Sequence, residues 1–275
     1  MNITTAVLIT SHNRREKTIA CLKFLYYCDL PKSHVLEVFL VDDGSTDGTG
    51  DAVKDGFPMA NLIHGTGDLF WNRGMHIAWE TASKTKDYDY YLWLNDDTLL
   101  FENSLKLMLE YIQTLNNRQI IVGATCSSKT GIVTYSGFNF PDKKLNPNNT
   151  WQNCDFFNGN IVLIPSFVFH QVGIIDKRFR HTLGDFDYGM RASKLGFVHV
   201  LSPNFLGNCE EHETDPVWRN LSFPLYKRLR NLYTPLGNNP IEYFVFDRRH
   251  NGFLIALLHF LTIHLRSIFP SIWKK

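Results

Sequence analysis

The chain is predicted to be an α/β protein: a doubly wound domain on a mostly parallel central sheet, with helices on both faces. Three observations predict this. Apolar runs of strand length recur at Ala6–Thr10, Leu36–Val41, Tyr90–Leu94 and Ile120–Ala124. Between them lie stretches of helical period: Met75, Ala78, Trp79 and Ala82 fall at i, i+3, i+4, i+7, as do Leu105, Met108, Leu109 and Ile112. The strand runs are continuously apolar rather than alternating, which marks strands covered on both faces.

Asn103-Ser104 supplies an N-cap for the second of these helices. From about Thr125 to Asp155, glycines, prolines and an Asn-rich patch (Asn146, Asn148, Asn149) punctuate short β-like pieces, a hairpin-and-loop region of the kind that shapes substrate clefts. Ile161–Ile164 is expected to return to the sheet, and Tyr188–Leu195 to be helical. Residues 1–222 thus read as the α/β domain and 223–275 as a basic, aromatic tail.

Bulk properties narrow the class. With 275 residues, 44% hydrophobic and 20% charged, the chain can bury one large core. A net charge of +1 gives no reason to expect a nucleic-acid partner. The start, MNITTAVLIT, lacks a basic leader and a long apolar stretch, so no signal peptide is expected. Five scattered cysteines without C-x-x-C suit a reducing cytosol better than disulfides or a zinc site. The N-x-S/T matches at Asn2, Asn148 and Asn220 are then idle.

Two predicted strands end in acids: Asp42-Asp43 after Val41, and Asp96-Asp97 after Leu94. Open α/β sheets bind ligands outside the carboxyl ends of their strands, so both pairs are expected on one edge. Asp42, Asp43 and Asp47 also suit a Gly-assisted turn with a helix cap, and a cap or turn role is open to Asp96-Asp97. A divalent cation best explains adjacent acids. Mg²⁺ or Mn²⁺ takes one or two carboxylates plus substrate phosphates and offsets the repulsion. No G-x-x-x-x-G-K-S/T is present, and Gly65-Thr66-Gly67 lacks the third glycine of a dinucleotide fingerprint.

Taken in order, VLITSHNRRE, VDDGSTD, LWLNDD and LGDFDYGMRASKLG resemble the family 2 glycosyltransferases, over roughly residues 5 to 212. The resemblance implies the GT-A (nucleotide-diphospho-sugar transferase) fold and an inverting, nucleotide-sugar-dependent reaction. DLFWNRGMHIAWETA, leading into YLWLNDDT, is most similar to the branch that builds bacterial surface polysaccharides, including rhamnosyltransferase-like members. The resemblance implies that Asp42 contacts the nucleotide base with Asp43 beside it, and that Thr10 and Asn13 surround the nucleotide. Its D-x-D element falls on Asn95-Asp96-Asp97. Asp97 is then the direct metal ligand, Asp96 a neighbour in the donor site, and Asn95 a neutral contact to ribose or diphosphate. The family's general base falls on Asp185, with Gly184 where the family usually has Glu. As an alternative, Asp185 is a helix N-cap. Asp187 and Arg191 have the i, i+4 spacing of an ion pair. His212 matches a late family histidine near diphosphate or metal, or is a surface histidine beside Glu210 and Glu211. Arg73 is assigned near phosphate, Trp71 to the donor pocket or to ordinary packing, and Asn158-Gly159 to the sugar pocket.

The tail from Phe253 to Leu265 is apolar but short of the roughly 20 residues that span a membrane. Its basic flanks and terminal Trp273 suit a helix on an anionic surface, and the alternative is packing on the domain or on a dimer partner. The expected partners are a UDP- or dTDP-sugar donor and a saccharide or lipid-linked acceptor. The expected location is the cytoplasm, peripheral to the inner face of a bacterial membrane. Two rival classes stand beside the transferase: a sugar-phosphate nucleotidyltransferase, whose usual Gly-rich basic N-terminal loop is missing from SHNRRE, and a catalytically silent sugar-binding assembly protein.

Overall fold

The structure, a computed structural model, describes residues 2–211 and 216–273. In chain order its elements begin with β1 (Ile3–Ser11), α1 (Arg15–Tyr27), β2 (His34–Asp42), α2 (Thr49–Gly56), β3 (Asn61–His64), α3 (Phe70–Thr85) and β4 (Tyr90–Leu94). Next come β5 (Leu99–Leu100), α4 (Ser104–Thr114) and β6 (Ile120–Cys126), then the short strands β7 (Gly137–Asn139), β8 (Lys143–Lys144), β9 (Gln152–Cys154) and β10 (Phe156–Phe157). The chain continues through β11 (Ile161–Pro165), α5 (Ser166–Val172), α6 (Gly184–Lys194) and β12 (His199–Asn208), and closes with α7 (Leu225–Leu232), α8 (Pro240–His250) and α9 (Phe253–Ile268).

The main sheet has the order β3-β2-β1-β4-β11-β6-β12-β5, with β9 added to β12. The first four strands are parallel and joined by crossover helices, as the apolar runs predict. β11 enters antiparallel between β4 and β6. That reversal matters for function. Ile161 pairs with Leu94, so the loop leading into β11 lies at the edge where β4 ends.

Core packing follows the period-two alternation of the strands. Tyr91 and Trp93 of β4 face one layer with Trp79, Phe157, Val168 and Tyr188. Tyr90, Leu92 and Leu94 face the other, against Leu22, Leu105 and Met108. Both predicted helical stripes are buried. At the start of α4 the expected cap bond is missing, because Asn103 makes none and Ser104 Oγ donates to the Leu206 carbonyl at 2.6 Å. The expected hairpin-and-loop region supplies β7 and β8 of a second sheet, β10-β7-β8, while its β9 joins the main sheet; an aromatic cluster lies here in which Phe138 stacks on Phe156 and Phe186 sits edge-on to both. All five cysteines are buried and free.

The C-terminal helices are tied to the sheet domain across the boundary at residue 222. Arg180 Nε donates to Glu242 Oε1 at 2.7 Å, and Arg249 bridges Asp176 and Asp187. Among the described residues no helix is long and apolar enough to cross a membrane.

Candidate active site

Both acid pairs arrive at one edge of the sheet. Register places Asp42 opposite Ser11, and the Asp43 amide donates to the Ser11 carbonyl. Just after β1, Arg14 turns to the other pair: its Nη1 lies 3.1 Å from Asp96 Oδ1 and 2.9 Å from Asp97 Oδ2. Lys17 Nζ stands 3.6 Å from Asp97. Burial pushes the Asp96 carboxyl up to about 6; Arg14 draws it down and Asp97 raises it further. The chain therefore neutralises its adjacent acids with its own cations. The sequence reading missed Arg14, although two basic residues directly after a strand facing an acid pair were the available signal.

The acids of the first pair have structural duties. Asp43 is buried and accepts the backbone N–H groups of Gly67, Leu69 and Phe70 at 2.7, 2.8 and 3.1 Å. This explains Gly65-Thr66-Gly67. A Cβ at residue 65 would lie 2.7 Å from Asp43 Oδ1, and Gly67 takes φ +88°. Asp42 is also buried and accepts from the Ser45 N–H at 3.2 Å. Asn13, at φ +51°, accepts from the Thr46 N–H, and Asp47 receives the amides of Arg15 and Thr49. The turn expected around Asp42–Asp47 is thus built, and its side chains staple the starts of α1 and α2. Thr10, next to last in β1, has its hydroxyl against Gly74, where a Cβ would come within 2.1 Å.

A continuous chain of contacts joins the second acid pair to Asp185. Trp71 Nε1 donates to Asn95 Oδ1 at 2.7 Å. The same indole packs so closely on Gly159 that a Cβ there would lie 2.5 Å from the ring. The Gly159 N–H in turn donates to Asp185 Oδ2 at 3.0 Å. Asn158, next in the loop, is held by Ser136 through both its N–H and its side-chain oxygen. The direction of β11 makes this possible, since the Asn95 N–H donates to the Asn160 carbonyl at 3.1 Å.

Asp185 lies in the first turn of α6, while Leu183 holds the N-cap position, so the cap role considered for Asp185 is not the one seen. Its Oδ1 accepts the Phe186 N–H at 2.9 Å. Burial pushes its carboxyl up to about 6, outweighing the backbone amides of Phe186, Gly159 and Asp185 itself that favour the ionised form. Leu183 at φ +70° and Phe70 at φ +57° are bulky side chains in the left-handed region, and such backbone strain gathers at functional sites. Gly184 departs from the family's Glu for a steric reason. Asn72 is fully buried, donates to the carbonyls of Asp176 and Phe179, and leaves only 1.6 Å between its Oδ1 and a Cβ at 184.

Asp187 is the buried counter-charge of this helix. It takes Arg191 at 2.9 Å (the expected i, i+4 pair), His250 Nε2 at 2.9 Å, and Arg249. Burial by itself raises the Asp187 carboxyl; His250, Arg191 and Arg249 outweigh it and hold it below the usual range. Arg73 is engaged elsewhere, its Nε donating to the Lys177 carbonyl at 3.1 Å, and the structure does not bring it to the acid pairs. His212 lies outside the described residues.

Among the described residues no three His, Cys, Asp or Glu side chains form a metal cage. A cation held largely through substrate phosphates needs only one or two carboxylates. Asp97, with Asp96 behind it, offers hard oxygen donors of that kind, and the thiol of Cys209 stands 3.5 Å from Asp97 Oδ1. Asn95 gives its oxygen to Trp71, leaving its amide NH₂ for a ligand. The donor chemistry fits Mg²⁺ or Mn²⁺, with Arg14 and Lys17 sharing the neutralisation.

The fold is GT-A, and this edge of the sheet carries its acids. Two solved structures show the same architecture. Staphylococcus aureus TarS (residues 1–349) with UDP-GlcNAc superposes with a TM-score of 0.58 at 14% identity, over 99% of this chain and 76% of that one. The Pyrobaculum calidifontis mannosyltransferase with GDP-Man and Mn²⁺ gives 0.58 at 15%, over 96% and 74%. An uncharacterized glycosyltransferase of Rickettsia typhi is 23% identical over 187 residues, 60% of this chain, and a Rickettsia prowazekii counterpart is 23% identical over 185. The chain spans about half the length of these curated relatives, 52%. Residues 6–173 match the family described as Glycosyl transferase family 2, and the chain belongs to that family.

Proposed function

We propose that the chain transfers a sugar, with inversion, from a UDP- or dTDP-linked donor to a hydroxyl of a glycan or lipid-linked saccharide in polysaccharide synthesis. The observation that carries this reading is the Asn95–Trp71–Gly159–Asp185 continuity, which sets a half-buried carboxylate beside the acid pair at the sheet edge. Family membership supports the reaction class, and the UDP-GlcNAc and GDP-Man bound to the two neighbours support a nucleotide-sugar donor.

Asp185 acts as the general base. With a carboxyl titrating at about 6, it is largely ionised at neutral pH and basic enough to take a proton from an attacking hydroxyl. The amides of Gly159 and Phe186 fix its two oxygens, so the base is oriented before the acceptor arrives. Trp71 keeps Asn95 and the 158–159 loop in register, and Asp97, with Asp96, is the site for Mg²⁺ or Mn²⁺. When bound, the cation supplies positive charge to the departing diphosphate. Arg14 and Lys17 add fixed positive charge on the same side. The sugar proposed for transfer is of the hexosyl or rhamnosyl type.

The test is incubation of the protein and Mn²⁺ with a panel of UDP- and dTDP-sugars. Slow hydrolysis of one donor, abolished in Asp97→Asn, supports the reading. Pyrophosphate-dependent chemistry, or no turnover of any donor, contradicts it.

A further inference from the structure

The C-terminal helix α9 carries a feature that the transfer reaction does not use. Leu254, Leu257, Leu258, Leu261 and Leu265 are 42 to 78% exposed. Their spacing of i, i+3, i+4, i+7 and i+11 puts all five within about 100° of arc on one side of the helix. The opposite side, with Ala256, Ile263 and Ser267, is buried, and Phe260 packs edge-on to Phe244 of α8. An all-leucine stripe left in water is costly, and contiguous exposed apolar surface marks a binding face.

Charge identifies what covers it. Residues 223–275 hold eight Lys and Arg against two acids, a formal +6, which leaves residues 1–222 at −5. Both acids of the segment are turned inward: Glu242 is paired with Arg180, and Asp247 lies 2.9 Å from His259 Nδ1. Lys227, Arg230 and Arg248 on the neighbouring helices are exposed. A symmetric dimer through this face would bring two sets of these exposed cations together, whereas an anionic lipid surface complements them. A helix of 16 residues is about 24 Å long and too short to cross a bilayer, but its length suits lying in the interface plane.

We infer that α9 is an in-plane membrane anchor: its leucine stripe enters the acyl boundary of an anionic bilayer, and the basic tail surface holds the headgroups. The inference stands apart from the transfer reaction and needs no active enzyme to test.

Flotation of the full chain with phosphatidylglycerol-containing vesicles and with phosphatidylcholine vesicles provides the test. Flotation is expected with the anionic vesicles only, weakened by high salt. Leu258→Glu/Leu261→Glu should lower vesicle partitioning at least about tenfold with an unchanged melting temperature. Lys227→Glu/Arg248→Glu, which leaves the stripe intact, should abolish the preference for anionic lipid. Failure of the wild-type chain to float, or equal flotation of the leucine variant, overturns the inference. A dimer in sedimentation velocity that the leucine variant dissociates assigns the face to a second copy and also overturns it.

Discussion

Arg249, near the end of α8, and the buried Asp187, two residues beyond the candidate base, form an ion pair that fastens the C-terminal helices to α6. Arg249 also reaches Asp176 at 2.6 Å, and His250 shares Asp187. A segment that composition sets apart as a tail thus bears on the placement of Asp185. Arg249→Gln leaves Asp187 with Arg191 and His250 and Asp176 with Arg178, so it is expected to cost only about 1–2 kcal/mol in chemical denaturation. Because Arg249 acts through α6, kcat should fall while the donor KM stays nearly constant, and Arg249→Lys should restore part of the loss.

The raised carboxyl of Asp185 has consequences for both rate and stability. As the base must be ionised, kcat should rise with pH through about 6 and level off above 7. The fold favours the protonated form, so ionisation costs stability progressively from the unfolded value near 3.8 up to about 6, and fully above it. Asp185→Asn removes that cost. Its NH₂ also loses one of the two backbone N–H bonds that the carboxylate accepts, so the expected sign is in the pH dependence: its melting temperature should fall less than that of the wild-type chain between pH 4 and pH 8.

Gly184 tests the steric account of the departure from the family pattern. Gly184→Glu restores the usual family residue, yet here it meets the Asn72 side chain. It is expected to inactivate the enzyme and to destabilise it by about 1–3 kcal/mol, as overpacking does. Full activity of Gly184→Glu in a transfer assay would refute the fit.

Much of this architecture was legible in the sequence, for physical reasons that also explain the gaps. Tyr90–Leu94 and Ala6–Ile9 are buried on both faces, so their patterns had one reading. The acid pairs fell on one edge because parallel strands share a direction. The antiparallel entry of β11 was not legible, since period and composition carry no strand direction. For the same reason the Trp71–Asn95 bond, between residues 24 apart, left no local trace. For Asp43 the sequence left open a place beside the nucleotide-contacting Asp42 or a turn, and three backbone donors account for its burial. The Arg14 pairing was missed because it spans 82 residues.

Arg14 holds the two carboxylates proposed for the cation, so on that proposal a metal ion must displace or share its contacts. Calorimetric titration of Mn²⁺ into Arg14→Ala, without nucleotide, should show severalfold tighter binding than into the wild-type chain, because the acid pair loses its internal counter-charge. Its kcat should nonetheless fall. Unchanged Mn²⁺ affinity would show that Arg14 does not occupy the cation's place.

Trp71→Phe keeps most of the ring packed on Gly159 and deletes the 2.7 Å bond to Asn95. The loss of one buried hydrogen bond is worth about 1 kcal/mol, so kcat should drop roughly fivefold to tenfold. Donor binding, read by fluorescence or calorimetry, should change less than turnover.

The most direct measurement on the assignment of Asp185 compares transfer and donor binding in Asp185→Asn. Loss of a general base should lower the transfer rate by roughly a hundredfold to ten-thousandfold, while the donor dissociation constant stays within about threefold of the wild-type value. Transfer retained within about tenfold, or lost in step with donor binding, would contradict Asp185 as the base.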